Sequence, residues 1–357
     1  MLRVVNNLDR HRFIPSVAVS RVGGSYEPEL RTDVPLHVLG ASRTLRAIRP
    51  LRRLITSVRP TIVCAVMDHA NCAALLATMA SAHAPAVVGC VQIPPSIEWS
   101  RRIPFAKPAW VLAIRLLYPR AAAIVALSEG VRDDLAVLVP RAAKRLTVIH
   151  NAGVDETIDE LAGQLLIGAP KRDGPIIMAC GRLTAQKGFD VLLNAFALAR
   201  QRYHSQLWLI GEGPLRESLE QLAVDLGIRD SIWFGGFHEN PYRLMRAADV
   251  FVLSSRWEGF GNVIVEAMAV GTPVVATDCP HGPGEIIRHG TNGLLVPPED
   301  PEALAAAISD VLSDPRLGER LARGGRERAR DFSAATIAET YGRLFERVAA
   351  SRTSPVA

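Results

Sequence analysis

Two short stretches gather the ionisable groups best placed to act on a ligand. "GRLTAQKGFD" sets Arg182 and Lys187 between Gly181 and Gly188, and "SSRWEGFGNVIVEAMAVGTPVVAT" sets Glu258 and Glu266 in an otherwise largely apolar run. Arginine offers a planar fork and lysine a compact point charge, a combination suited to a diphosphate. Two solvated loop cations are the plainer alternative. A lone carboxylate such as Glu266 is costly to bury, so its place in a core-like helix asks for a use. At roughly 1.5 Å per residue, Glu258 and Glu266 stand about 12 Å apart along a helix. A glycosidase pair needs about 5 to 10 Å. The two acids therefore fit hydroxyl groups on separate parts of one elongated ligand better than paired acid–base chemistry, with chance spacing as the alternative.

The elements that would position these groups alternate strand and helix. "PIIMAC" precedes the Arg182 loop. "WLIGEGPLRESL" is another strand-to-helix turn, with Gly211, Gly213 and Pro214, and "DVFVLSS" precedes a turn whose Gly259 and Gly261 open the helix "VIVEAMAV", ended by Gly271-Thr272-Pro273. "DCPHGPGEI" adds the turn Gly282 to Gly284, and "VIHNAGVD" puts His150 and Asn151 just after a strand. All these turns fall at carboxyl ends of strands, where open α/β sheets bind ligands and helix N-termini face anions. No dinucleotide fingerprint or phosphate-cradling Gly-x4-Gly-Lys motif occurs.

The same alternation, "TIVCAV" to "LTVIH" and then "PIIMAC" to "PVVAT", predicts parallel βαβ units and an α/β protein of two doubly wound lobes. At 357 residues the chain exceeds the roughly 250 to 300 at which one core stops growing. The seam is expected at Asp155 to Gly174, giving lobes at 1–160 and 170–335 and a C-terminal helix, 336–357, that returns towards the first lobe. Stop signals within the helical C-terminal region are Asp314-Pro315, Gly324-Gly325 and Asp331. Met1 opens directly into a helix, before the strand-like "SVAVS".

Bulk properties narrow the classes. Apolar residues make up 48% and charged residues 22%, as in soluble globular proteins, and no apolar run approaches the roughly 18 to 20 residues of a membrane span. The five cysteines, Cys64, Cys72, Cys90, Cys180 and Cys279, are scattered and read as reduced, buried thiols, not as a metal site or disulfide framework. Net charge is +5 but uneven: residues 1–150 carry 20 Lys and Arg against 9 Asp and Glu, and the remainder 21 against 27. The densest basic stretch holds Arg43, Arg46, Arg49, Arg52 and Arg53 mostly at helical spacing, a solvated face or a docking face for anionic lipid. Nucleic acid is disfavoured, since aromatic residues are sparse there.

In order, "GRLTAQKGFDVLLNAFA", "LIGEGP", "FGGF", "DVFVLSSRWEGFGNVIVEAMAVGTPVVATD" and "NGLLVPPEDPEAL" resemble the C-terminal half of GT-B glycosyltransferases, specifically the retaining family GT4, over Val148 to Phe345. "MDHANCAALLA" and "IVALSEGVRDDL" resemble its first half more loosely. The resemblance implies two Rossmann-like lobes with a cleft between them. It also implies retaining transfer of a sugar from a nucleoside diphosphate sugar, with UDP-hexose or UDP-N-acetylhexosamine favoured, to a glycan or lipid-linked acceptor. Arg182, Lys187 and Glu258 would be catalytic, the cations stabilising the leaving diphosphate in place of a metal or other cofactor. Donor binding would use Gly181, Gly211, Gly213, Phe237, Glu258, Gly259, Phe260, Gly261, Asn262 and Glu266, with Glu258 on sugar hydroxyls and Glu266 on the ribose. The implied setting is the cytoplasm, peripheral on the inner membrane face through the arginines.

Two departures stand out. Family members usually begin with a strand and a glycine-rich loop, which this chain is expected to lack, and Gln92 stands about where many carry a histidine. A catalytically silent sugar-nucleotide binder or partner subunit, and a GT-B type epimerase, are the alternatives.

Overall fold

The computed structural model describes residues 1–24, 27–79, 81, 83–97 and 107–353, with side chains described for all of these but Lys107, Arg352 and Thr353. The chain divides into one unit made of Met1–Ala152 with Ala334–Ala357 and another made of Gly153–Ser333.

In the first unit, strands β1 (Val17–Val19) and β2 (Leu36–Val38) pair in parallel, and β3 (Ile62–Val66), β4 (Ala86–Val91), β5 (Ala123–Ala126) and β6 (Leu146–Val148) form a parallel sheet in that order. The period of two decides what each face meets. Ala86, Val88 and Cys90 of β4 join a cluster with Ile337, Tyr341 and Phe345 of the helix Ala334–Thr353. Val87 and Val91 face the opposite way, into a cluster with Leu75, Ile114 and Leu135. These come from helices Asp68–Met79, Lys107–Leu117 and Glu129–Leu138, the last capped by Ser128 Oγ accepting from the Val131 N–H at 3.2 Å. Helix Leu2–Asn7 opens the chain and buries Val4.

The second unit holds six parallel strands in the order β12-β11-β10-β7-β8-β9. These are β7 (Ile176–Cys180), β8 (Gln206–Ile210), β9 (Ile232–Gly236), β10 (Val250–Leu253), β11 (Val274–Thr277) and β12 (Leu294–Val296). Their alternating residues enter two cores. Ile177, Leu207 and Val252 meet helices Phe189–Arg200 and Pro301–Ser313, while Met178, Trp208 and Phe251 meet helix Asn262–Val270 and its neighbours. Helices cover both faces, as a doubly wound sheet requires.

The unit boundary falls at Ala152/Gly153, ahead of the turn-rich segment expected to carry it. Helix Ile158–Gly163 buries Ile158 and Ala162 with Leu244 and Met245, and so belongs to the second unit. Asp314-Pro315 does break the C-terminal helices, with the Asp314 carboxylate capping the N–H groups of Arg316 and Leu317. Gly324-Gly325, expected as a stop, instead lies inside helix Pro315–Ala329. A Cβ at Gly324 would stand 2.4 Å from the Thr291 carbonyl oxygen, so glycine there permits close packing rather than ending the helix. Among the described residues, no helix is long and apolar enough to cross a membrane.

Candidate functional site

The order of the second sheet locates a site before any side chain is considered. From β7 the chain winds outward through β8 to β9, and from β10 it winds the other way through β11 to β12. The reversal lies between the neighbours β7 and β10, and the loops leaving their carboxyl ends flank the crevice where such sheets bind ligands. Those loops are Gly181–Gly188 and Ser254–Gly261.

Glycines lock the loops together. Gly188, at φ +58°, lies so close to β10 that a Cβ would stand 2.2 Å from the Ser254 carbonyl oxygen. A Cβ at Gly211 would meet the Gly181 carbonyl oxygen at 2.0 Å, and one at Gly213 the Leu183 carbonyl oxygen at 2.5 Å. Both residues thus serve contact between the β8 and β7 loops, the tight-folding use of a glycine turn that stands beside ligand approach. Gly282, at φ +89°, is pressed against Phe260 in the same way, with its would-be Cβ 2.2 Å from that carbonyl oxygen. Four loops are thereby held edge to edge over the strand ends.

At their meeting point Lys187 Nζ donates to Glu258 Oε1 at 2.5 Å. The same oxygen accepts from Ser255 Oγ at 2.7 Å. The pair is largely withdrawn from water, with 16% of the lysine and 8% of the glutamate side chain exposed. Side-chain donors to backbone carbonyls carry the registration further: Ser254 Oγ donates to the Lys187 carbonyl at 2.9 Å, and Gln186 Nε2 to that of Trp257 at 3.1 Å. Thr277 Oγ1 of β11 donates to the Ser255 carbonyl at 2.6 Å.

Two thiols, Cys180 partly buried and Cys279 buried, respond to the surrounding charges. Burial, and then the Glu266 carboxylate, push Cys180 up to about 12, with Lys187 acting the other way. Cys279 is raised to about 12 by burial and then by Glu258, against Thr277 and Lys187. Glu266, in the second turn of helix Asn262–Val270, thus lies within electrostatic reach of the end of β7, and Glu258 within reach of the loop after β11.

Residues 174–314 match the family model described as glycosyl transferases group 1, and residues 2–152 match the glycosyl transferase 4-like domain. The chain belongs to the group 1 glycosyltransferases. The lipopolysaccharide core biosynthesis glycosyltransferase LpsD of Rhizobium meliloti is 40% identical over 181 residues, 50% of this chain and 52% of LpsD. The N-acetylgalactosamine-N,N'-diacetylbacillosaminyl-diphospho-undecaprenol 4-alpha-N-acetylgalactosaminyltransferase of Campylobacter jejuni is 30% identical over 225 residues, 63% of this chain and 60% of that protein. The chain spans between half and two thirds of the length of these curated relatives. HepE of Anabaena, solved in complex with UDP, superposes with a TM-score of 0.76 at 22% identity, over 93% of this chain and 92% of HepE. The shared architecture is the GT-B fold.

Within this group 1 glycosyltransferase, Lys187, Glu258, Gly181, Gly211, Gly213, Gly259, Gly261 and Asn262 all lie on the interlocked loops or at the start of the helix that follows them. Gly261, at φ +100°, is the N-cap of helix Asn262–Val270. Arg182 is exposed on the β7 loop and makes no side-chain hydrogen bond or ion pair among the described residues. Phe237 follows β9 and is 68% exposed. The Phe260 ring turns inward, edge-on to Phe332 with centroids 5.3 Å apart, so its side chain faces the core. Ser255, Thr277 and Gln186 were not read from the sequence. A hydroxyl pair directly before "RWEG" is the one signal that could have pointed to Ser255.

Proposed function

We propose that this chain is a retaining glycosyltransferase that moves a hexose or N-acetylhexosamine from its UDP donor to a glycan or lipid-linked acceptor in the synthesis of a cell-surface polysaccharide or glycoconjugate. The observation that carries the reading is the Lys187–Glu258 pair, held between two loops at the switch point of a parallel sheet. Lys187 and the exposed Arg182 supply positive charge where a diphosphate gathers negative charge on leaving, which lowers the barrier without a metal or other cofactor. Glu258 accepts from sugar hydroxyls, and Glu266 from the ribose hydroxyls farther along the helix. Loop glycines let the donor approach the backbone, with Phe237 bordering the nucleotide.

UDP in the HepE complex supports the choice of base, and the diphospho-undecaprenol in the name of the Campylobacter jejuni relative supports a lipid-linked acceptor. The arginine-rich helix Thr44–Val58 favours work at the inner face of a membrane. Its Arg46, Arg49, Arg52 and Arg53, with Arg43 just ahead, are all exposed.

The test is a donor screen with UDP-glucose, UDP-galactose and their N-acetylated counterparts against a lipid-linked glycan, with the new bond read by NMR. Transfer with retained anomeric configuration, lost in Glu258→Ala while the protein stays folded, is the expected result. A chain that binds UDP yet releases no sugar from any donor would instead be a silent sugar-nucleotide binder.

A further inference from the structure

Arg256 lies on the loop that carries Glu258, and four of its five guanidinium N–H donors are engaged. Nη1 and Nη2 grip the Asp190 carboxylate at 2.9 and 2.7 Å. Nε donates to Glu299 Oε1 at 2.7 Å, and Nη1 donates also to the Ala185 carbonyl at 3.0 Å. Its backbone N–H donates to the Gln186 carbonyl at 2.8 Å. Such a side chain has little left for a ligand, since guanidinium carries five N–H donors. What it holds is the segment on either side of Lys187: Ala185 and Gln186 before it, and Asp190 in the first turn of helix Phe189–Arg200 after it. Arg256 itself lies two residues before Glu258.

We propose that Arg256 is a positioning residue that clamps the Lys187 loop to the Glu258 loop, so that ammonium and carboxylate face the donor in fixed register. Its functional side rests on the glycosyltransferase reading above. Three features support it. The Arg256 fork meets Asp190 through two parallel bonds, a geometry that lysine cannot reproduce. Asp190 at a helix start is further favoured by the helix dipole, and its carboxyl group is lowered chiefly by the Arg256 hydrogen bond. Glu299, the third partner, sits at φ +59°, a left-handed backbone that non-glycine residues seldom adopt. Strain of this kind persists where surrounding contacts enforce it, and the ion pair with Arg256 is such a contact.

The experiment combines ligand-free and ligand-bound readouts on Arg256→Gln, Lys187→Ala and the double variant. Without ligand, hydrogen exchange of amides 183–190 is expected to accelerate in Arg256→Gln. With UDP, calorimetry is expected to give about tenfold weaker binding for each single variant. The double variant is expected to bind no more than about twofold more weakly than Lys187→Ala, because both act through the same ammonium. Uridine, which lacks the phosphates, is expected to bind all of them alike. Unchanged exchange in Arg256→Gln, or losses that multiply in the double variant, would overturn the proposal. Should Arg256→Gln not fold, Glu299→Gln removes one rim partner and is expected to change exchange in the same direction to a smaller extent. A wild-type chain that takes up no UDP would overturn the functional reading, and the exchange result alone would then decide the clamp.

Discussion

Lys187 and Glu258 lie 71 residues apart in the chain, yet their side chains meet at 2.5 Å beyond the ends of the neighbouring strands β7 and β10. Removing one member of so buried a pair leaves the other charge without compensation. Glu258→Gln is expected to destabilise the fold by about 3 kcal/mol. The double variant Lys187→Met with Glu258→Gln should lose clearly less than the sum of the two singles. Urea unfolding of the four proteins measures this, and strict additivity would show that the pair is not coupled.

Gly211→Ala places a methyl group on the Gly181 carbonyl and forces alanine to φ +135°. Overpacking and backbone strain together should cost about 2 to 4 kcal/mol. Because the damage falls on the loop that carries Arg182 and Lys187, UDP affinity should fall with stability. Retention of wild-type stability would mean that the two loops separate easily.

The Asp190–Arg256 pair sets a pH dependence of known sign. The Asp190 carboxyl is depressed below its ordinary value of 3.8, first by the Arg256 hydrogen bond. A depressed folded-state value contributes stability above the unfolded value, and the contribution is lost as pH falls through the folded one. The stability gap between wild type and Asp190→Asn should therefore be constant from neutral pH down to about pH 5 and shrink below about pH 4. A gap that widens on acidification would contradict the pairing.

Cys72 and Cys279 are buried, and burial raises their thiols, like that of Cys180, to about 12. At pH 8 little thiolate exists at any of the three, so maleimide should modify them only slowly in the folded protein and readily in denaturant. Rapid labelling of Cys279 in the native state would show that the loop after β11 opens.

Arg43, Arg46, Arg49, Arg52 and Arg53 predict binding to anionic vesicles at low salt and release near 0.5 M, roughly where screening is complete over a few ångströms. Glutamate at Arg46, Arg49 and Arg52 should abolish retention. Binding indifferent to salt would rule out a headgroup contact.

Most strands were legible because buried parallel strands read as short β-branched runs: "TIVCAV" contains β3, "PIIMAC" contains β7 and "DVFVLSS" contains β10, whereas the three-residue strands β2 and β12 were too short to stand out. The loop positions of Lys187 and Glu258 followed from that pattern. Their contact with each other did not, because it depends on β10 lying beside β7, and strand order is not written in any local window. The Arg256–Asp190–Glu299 network was hidden for the same reason, since its members come from three separate segments. Gly211 and Gly324 were visible as glycines, but whether a glycine admits a ligand, ends a helix or admits another backbone is settled only by what stands within a Cβ's reach.

The helix Ala334–Thr353 completes one core face of the first unit, supplying Ile337, Tyr341 and Phe345 to Val88, Cys90 and Val125. Ribosomal synthesis runs from the N-terminus, so residues 153–333 emerge before that helix exists. The nascent first unit therefore has only its N-terminal residues, Val4 and Leu8 among them, to pack on that side of its sheet while the whole second unit is made. A chain stalled or clipped before that helix would leave exposed the apolar side chains that Ile337, Tyr341 and Phe345 cover, a surface prone to adhesion.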